Sequence, residues 1–254
     1  MNAPSIPGPA ALPALTGAFA LTALNPREWN AETCAEVNAR LESASASHIA
    51  DWAVATFGQG IGIACSMQDT ILPHLFGTRL EGVDVLFLET GYHFSETVDT
   101  RDEVARRFPV TIVDVMPELT VEEQDAQYGK DLFARDPNLC CQMRKVDPLA
   151  KALSGYQAWV TGARRVDSIT RSEMPVISWD AKHGLVKINP LALWDDGDVE
   201  KYQAQHDLPR NPLVAQGFLS IGCAPCTRKV APGEDARAGR WAGQGKTECG
   251  IHVG

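Results

Sequence analysis

The chain has 254 residues, 44% hydrophobic and 22% charged, which suits one large α/β domain with a buried core and excludes a disordered protein. A formal net charge of −9 argues against a general nucleic-acid binder, so an anionic ligand would need cations gathered locally. No run of ~20 continuous apolar residues occurs, and no membrane span is expected.

Residues 1–25 are rich in Ala and Pro and carry no Lys or Arg before Arg27. Pro4, Pro7, Pro9 and Pro13 interrupt the apolar core a signal peptide needs, so the segment is expected to be a disordered tail. Ile49, Trp52, Ala53 and Phe57 recur at helical spacing and predict a helix over Ala46–Phe57, followed by a short buried strand over Ile61–Ser66. A second helix is expected from Gln68 to Phe76, with Pro73 absorbed early or as a kink. Val83–Leu88 reads as the next strand, ending in Glu89-Thr90-Gly91; Glu96–Phe108 reads as a charged amphipathic helix and Val110–Val115 as a strand. Further on, Val146–Leu153 looks helical, while Trp159–Gly162 and Val186–Asn189 look like strands, the second stopped by Pro190. Periodicity fades beyond about Leu208, and Pro232–Gly254, with six Gly, reads as a flexible C-terminal tail. The expected organisation is therefore a tail over 1–25, an α/β body over 26–231 and a mobile segment over 232–254. Strand and helix alternate, which predicts a mainly parallel sheet with helices on both faces and ligands at the carboxyl ends of the strands.

Seven cysteines without a secretion signal point to a reducing, cytoplasmic setting, where clustered cysteines bind metal or do chemistry more often than they form disulfides. Cys140-Cys141 is followed after 81 residues by Cys223-Ala-Pro-Cys226, two close pairs suited to one centre with four thiolate ligands. Zinc is the stronger rival to iron and sulfur. Adjacent side chains diverge, however, so a doublet serves separate corners of a multi-iron cluster better than a single tetrahedral ion. Disulfides are a third reading. Cys34 and Cys65 match no motif and read as packing residues.

Five stretches appear in one order: Cys140-Cys-Gln-Met-Arg-Lys-Val-Asp-Pro-Leu149, Trp159-Val-Thr-Gly-Ala-Arg-Arg165, Lys187-Ile-Asn-Pro-Leu191, Ser220-Ile-Gly-Cys-Ala-Pro-Cys-Thr227 and Lys246-Thr-Glu-Cys-Gly-Ile-His252. Together they resemble the adenylyl-sulfate (APS) and phosphoadenylyl-sulfate (PAPS) reductases, over a match running from about Ile61 to the C-terminus. The resemblance implies an adenine-nucleotide alpha-hydrolase-like fold, related to the PP-loop enzymes. It implies a [4Fe-4S] cluster held by Cys140, Cys141, Cys223 and Cys226, which organises the site and its charge rather than carrying electrons. It also implies Cys249 as nucleophile, forming an S-sulfonate that thioredoxin or glutaredoxin reduces. The cluster-bearing branch mostly takes adenosine 5′-phosphosulfate. The same chemistry on the 3′-phosphorylated nucleotide is the runner-up, and a zinc-stabilised binding module without catalysis is the reading from another class. Oligomeric state is left open, a homo-oligomer included.

A free thiol is mostly protonated at neutral pH, so Cys249 needs positive charge nearby, from His252 and from substrate-site arginines. Candidates for the anion pocket are Lys145, Arg165, Arg171, Arg237 and Arg240, because planar guanidinium forks match tetrahedral oxyanions. Ser66-Met-Gln-Asp69 stands where related ATP-cleaving enzymes carry a Gly-rich phosphate loop. Its glycines are absent here, which disfavours an ATP pyrophosphatase and leaves a nucleotide site in place. Ser66, Leu88, Thr90 and Gly162, at strand ends, are expected to flank the nucleotide.

Overall fold

The computed structural model describes residues 29–243, 246 and 248–251. The N-terminal tail expected over 1–25 lies outside them.

Two helices come first: α1 (Ala31–Leu41), capped by the Asn30 side chain, and α2 (Ala46–Phe57), capped by Ser45. The chain then alternates through β1 (Ile61–Ala64), α3 (Ile71–Gly77), β2 (Val83–Leu88), α4 (Ser95–Arg107) and β3 (Val110–Val115). Short helices α5 (Val121–Tyr128), α6 (Leu132–Arg135) and α7 (Pro137–Cys141) run into a π-helical turn over Gln142–Val146 and then α8 (Asp147–Leu153). After them come β4 (Ala158–Thr161), β5 (Ile177–Asp180), β6 (Leu185–Ile188), α9 (Asp196–Gln205) and α10 (Pro212–Ala215).

Among the described residues the sheet has six strands in the order β3-β2-β1-β4-β6-β5. All neighbours are parallel except β5 and β6, so the expected mainly parallel sheet gains an antiparallel edge. Both faces are buried. Ile61 and Ile63, Val83, Val85 and Phe87, Ala158 and Val160, and Val186 and Ile188 point into a large core shared with α1, α2 and α3. The alternate residues Leu86, Trp159 and Leu185 pack with Leu149 and Leu153 of α8 on the other side.

The helix expected from Gln68 begins at Ile71 instead. Met67 has φ 59°, which no helix accepts, and residues 65–70 form a loop. Pro73 then falls in the first turn of α3, where its missing N–H has no intrahelical partner to lose. Helices α1, α5 and α9 went unread. The last two are short and polar, announced only by capping boxes at Thr120–Glu123 and Asp195–Asp198.

Candidate active site

The strand order reverses between β1 and β4: the chain leaves β1 toward β2 and β3, then returns to β1's other side as β4. Ala64 is in register with Leu86 and with Thr161, so β1 and β4 end at one level, β2 runs on to Leu88, and the following loops share one rim. A cleft of about 630 Å³ opens there, as the doubly wound topology predicts. Ser66, Leu88, Thr90, Lys145, Gly162, Arg171, Arg237, Arg240 and Cys249 all line it, so residues far apart in the chain meet in one cavity.

The loop after β1 is held by amides. The buried Asn211 side chain donates to Met67 O (3.1 Å) and Thr97 Oγ1 (3.1 Å), and accepts from Leu213 N. Gln68 behaves like a strand neighbour: its Nε2 donates to Leu219 O (3.2 Å) and its Oε1 accepts from Ile221 N (2.8 Å). That pair ties the loop between β1 and α3 to the segment leading into Cys223. Asp69, half-buried on the cleft wall, accepts from Ile71 N, and its desolvation raises its pKa above the usual carboxylate value.

Beside the cleft, Cys140, Cys141, Cys223 and Cys226 line one small enclosure with Tyr92, Phe133, Pro137, Arg144 and Lys145. All four thiols are unpaired by disulfide. The doublet reaches its place because α7 ends directly in the π-helical turn, whose Arg144 is buried and donates to Thr90 O (2.5 Å) and Gln124 Oε1 (3.1 Å). The second pair arrives on a 3₁₀ turn whose Ala224 N donates to Tyr92 O (2.7 Å), and Thr90 Oγ1 lies 3.3 Å from Cys223 Sγ. No three His, Cys, Asp or Glu side chains among the described residues meet the geometry of a lone-ion site.

Lys145 lies at the junction, 8% exposed, and no carboxylate among the described residues pairs with it. Burial pushes its pKa down, but negative charge on Cys223, Cys249 and Cys141 more than offsets this and raises it. A buried ammonium without a carboxylate partner is offset by negative charge on the neighbouring sulfurs. The donor set thus fits an iron-sulfur cluster, four cysteine thiols around one enclosure with a resident cation alongside.

Cys249 hydrogen-bonds with Cys141, and that bond is the main cause holding its thiol well below the usual range. The charges of Lys145, Arg240 and Lys246 act the same way, against the opposing effect of burial. Arg240 lies across Gly222, stacks on the Trp241 ring at 4.5 Å and donates to Ser220 Oγ (3.3 Å) and Ile221 O (3.3 Å). A methyl group on Gly222 would overlap its guanidinium. The buried Nε atoms of Arg240 and Arg171 have no acceptor among the described residues, which leaves two donors for an anion.

One predicted cation stands elsewhere. Arg165 donates to Met174 O (2.8 Å) and pairs with Glu42 just beyond α1, away from the cleft. Its neighbour Arg164 lines the cavity instead, held by Asp167 and Asp196. Both arginines follow β4, and sequence offers no signal for which one turns inward. His252 lies outside the described residues. Gln68, Asn211 and Glu248 went unrecognised as site residues, because polar residues in loops carry no periodicity. Cys34 is buried in the main core, as expected of a packing residue; Cys65 packs against that core but also borders the cleft, where burial pushes its thiol up to about 12.

Residues 61–229 match the phosphoadenosine phosphosulfate reductase domain. The chain is 53% identical over 232 residues to an adenosine 5′-phosphosulfate reductase of Rhodococcus opacus, covering 87% of this chain and 94% of that protein. It is 54% identical over 215 residues to the protein of the same name from Mycolicibacterium smegmatis, covering 85% and 91%. Among solved structures it is similar to a phosphoadenylyl-sulfate reductase from Candida auris in a phosphate complex, with TM-score 0.68, 28% identity and coverage of 79% and 98%. Yeast FAD synthetase shares the fold alone, with TM-score 0.52, 14% identity and coverage of 78% and 74%.

Proposed function

The chain belongs to the phosphoadenosine phosphosulfate reductase domain family, and from that premise we propose that it reduces adenosine 5′-phosphosulfate to sulfite and AMP, in the cytoplasm, for sulfate assimilation. The observation that carries this reading is the position of Cys249: its sulfur lines a nucleotide-sized cleft that Lys145 and Arg240 also line, bringing positive charge to it. A binding module would have no use for a thiolate so placed. The 3′-hydroxyl nucleotide is preferred because the relatives at 53% and 54% identity carry that substrate in their name.

Cys140, Cys141, Cys223 and Cys226 would hold a [4Fe-4S] cluster; when bound, it supplies fixed negative charge beside Lys145 and ties the two cysteine segments together. The other steps belong to side chains. Ser66, Leu88, Thr90 and Gly162 flank the nucleotide at the strand ends. Lys145, Arg171, Arg237 and Arg240 hold the phosphosulfate and stabilise the charge that collects on the departing phosphate. The Cys249 thiolate attacks the sulfonyl sulfur. A sulfur–sulfur bond forms, the sulfur–oxygen bond to phosphate breaks with its electron pair going to oxygen, and AMP leaves. A thiolate of thioredoxin or glutaredoxin then attacks Cys249 Sγ and releases sulfite. The donor's second thiolate displaces Cys249 from the mixed disulfide, so the two electrons come from a dithiol that ends as a disulfide.

A sulfite-release assay with thioredoxin, run side by side on the 3′-hydroxyl and 3′-phosphate nucleotides, tests this. Sulfite from the first in clear excess is expected; sulfite from neither would end the proposal.

A further inference from the structure

The residue before the nucleophile makes two contacts that the reaction does not call for. Glu248 Oε2 accepts from Arg171 Nη2 at 2.9 Å and from Arg237 Nη2 at 3.0 Å, and Ser168 Oγ lies 3.4 Å from its other oxygen. The carboxylate is 14% exposed, with Arg171 at 11% and Arg237 at 17%, so this is a largely desolvated bridge inside the cleft. Two guanidinium groups aimed at one anionic oxygen repeat the way such groups hold a phosphate or sulfate oxygen. Burial pushes the Arg237 pKa down, Arg171 and Arg240 add to this, and Glu248 offsets it, so the arginines stand this close because an anion lies between them.

We propose that Glu248 is an internal competitor for the anion seat: its carboxylate occupies the Arg171–Arg237 pair while the cleft is empty, and the nucleotide's acidic group must displace it to bind. The inference rests on the reading of this cleft as an anionic-nucleotide site. Two features favour exchange over coexistence. The Nε of Arg171 has no acceptor among the described residues, so the pair offers an incoming tetrahedral anion more donors than the carboxylate uses. Furthermore, the Glu248 side chain turns about three rotatable bonds, so its carboxylate can swing off the arginine pair and leave the seat to an incoming anion. Glu248 is then a competing residue, with no contact to the reacting atoms.

The test uses AMP, which carries the anion and cannot react, with the full iron-loaded protein. Apparent affinity is lowered by whatever fraction of molecules hold the seat closed. Removing the competitor should therefore tighten AMP binding by calorimetry, by roughly three- to tenfold, in both Glu248→Gln and Glu248→Ala, while Glu248→Asp stays near wild type. In turnover the first two should lower KM without raising kcat, a split that a merely structural strap would not give. Unchanged or weaker AMP binding in both variants would overturn the proposal. Absence of sulfite from both nucleotides would sink the reductase reading and leave this binding result standing.

Discussion

At the scale of single residues, Cys249 and Arg240 carry the sharpest expectations. Cys249→Ser should bind the nucleotide and keep its iron but form no covalent adduct, because a hydroxyl lacks a thiolate's reactivity at neutral pH. Wild type incubated with substrate and no reductant should gain the mass of one sulfonate on the peptide containing Glu248-Cys249-Gly250, seen by mass spectrometry. An adduct on another cysteine would move the chemistry there. Cys140→Ser and Cys226→Ser should each lose iron and nearly all activity, since each corner of the cluster needs a ligand; full iron content in either would remove that cysteine from the set. Gly222 gives a less obvious test. A β-carbon there overlaps the end of the flexible Arg240 side chain, which can swing away at little cost to folding. Gly222→Ala should therefore melt near wild type yet bind AMP as poorly as Arg240→Ala, roughly tenfold or more weakly. That loss corresponds to one charge-assisted contact of about 1.5 to 3 kcal/mol. Binding equal to wild type would show that Arg240 does not touch the anion. Arg240 was legible as a candidate from its charge and its place ahead of Cys249; its dependence on Gly222 was not, because nothing in the sequence puts the two in contact.

At the scale of elements, the loop between β1 and α3 is the part that sequence described least well. Its backbone turns at Met67 in the left-handed region, which an apolar side chain does not advertise, and the conformation persists because Asn211, 144 residues away, takes the Met67 carbonyl. Asn211→Ala leaves Met67 O, Thr97 Oγ1 and Leu213 N without a buried partner, so a loss of about 1–3 kcal/mol in stability is expected from urea unfolding. Hydrogen exchange should speed up first over residues 65–70; uniform destabilisation with no local change there would show that Asn211 supports the body and not the loop. The strands were easier to read. Val83–Leu88 and Val110–Val115 matched residue for residue, since apolar runs bounded by Gly, Pro or charge mark strands, buried in β2 and half-exposed at the β3 edge. Strand β5 was missed because Ile177-Ser-Trp-Asp180 has no close Gly or Pro stop after it, as Gly162 and Pro190 supply for the equally short β4 and β6.

At the scale of the whole molecule, the cleft draws on every part of the body: strand ends, the π-helical turn, the loop before Cys223 and the C-terminal residues. A ligand bridging them should stabilise the fold as a unit. AMP at ~100 times its dissociation constant should add about 2.7 kcal/mol, or roughly 5 to 10 °C in melting temperature for a chain of this size, and the gain should shrink in Arg240→Ala. An unchanged melting temperature at saturating AMP would mean that the cleft does not bind the nucleotide. What the sequence determined by itself was local or compositional. The strand-and-helix alternation and the two cysteine pairs follow from residue type and spacing, and the candidate nucleophile from the resemblance of its motif to a known family; all of these survive any arrangement of the elements. Tertiary structure alone decided that Arg164 and not Arg165 faces the cleft, that Lys145 has sulfur and no carboxylate beside it, and that Glu248 occupies the seat between Arg171 and Arg237. Side-chain direction and charge pairing depend on which distant segments the sheet order brings together. A one-dimensional pattern holds no record of contacts made across 77 or more residues, as between Arg171 and Glu248.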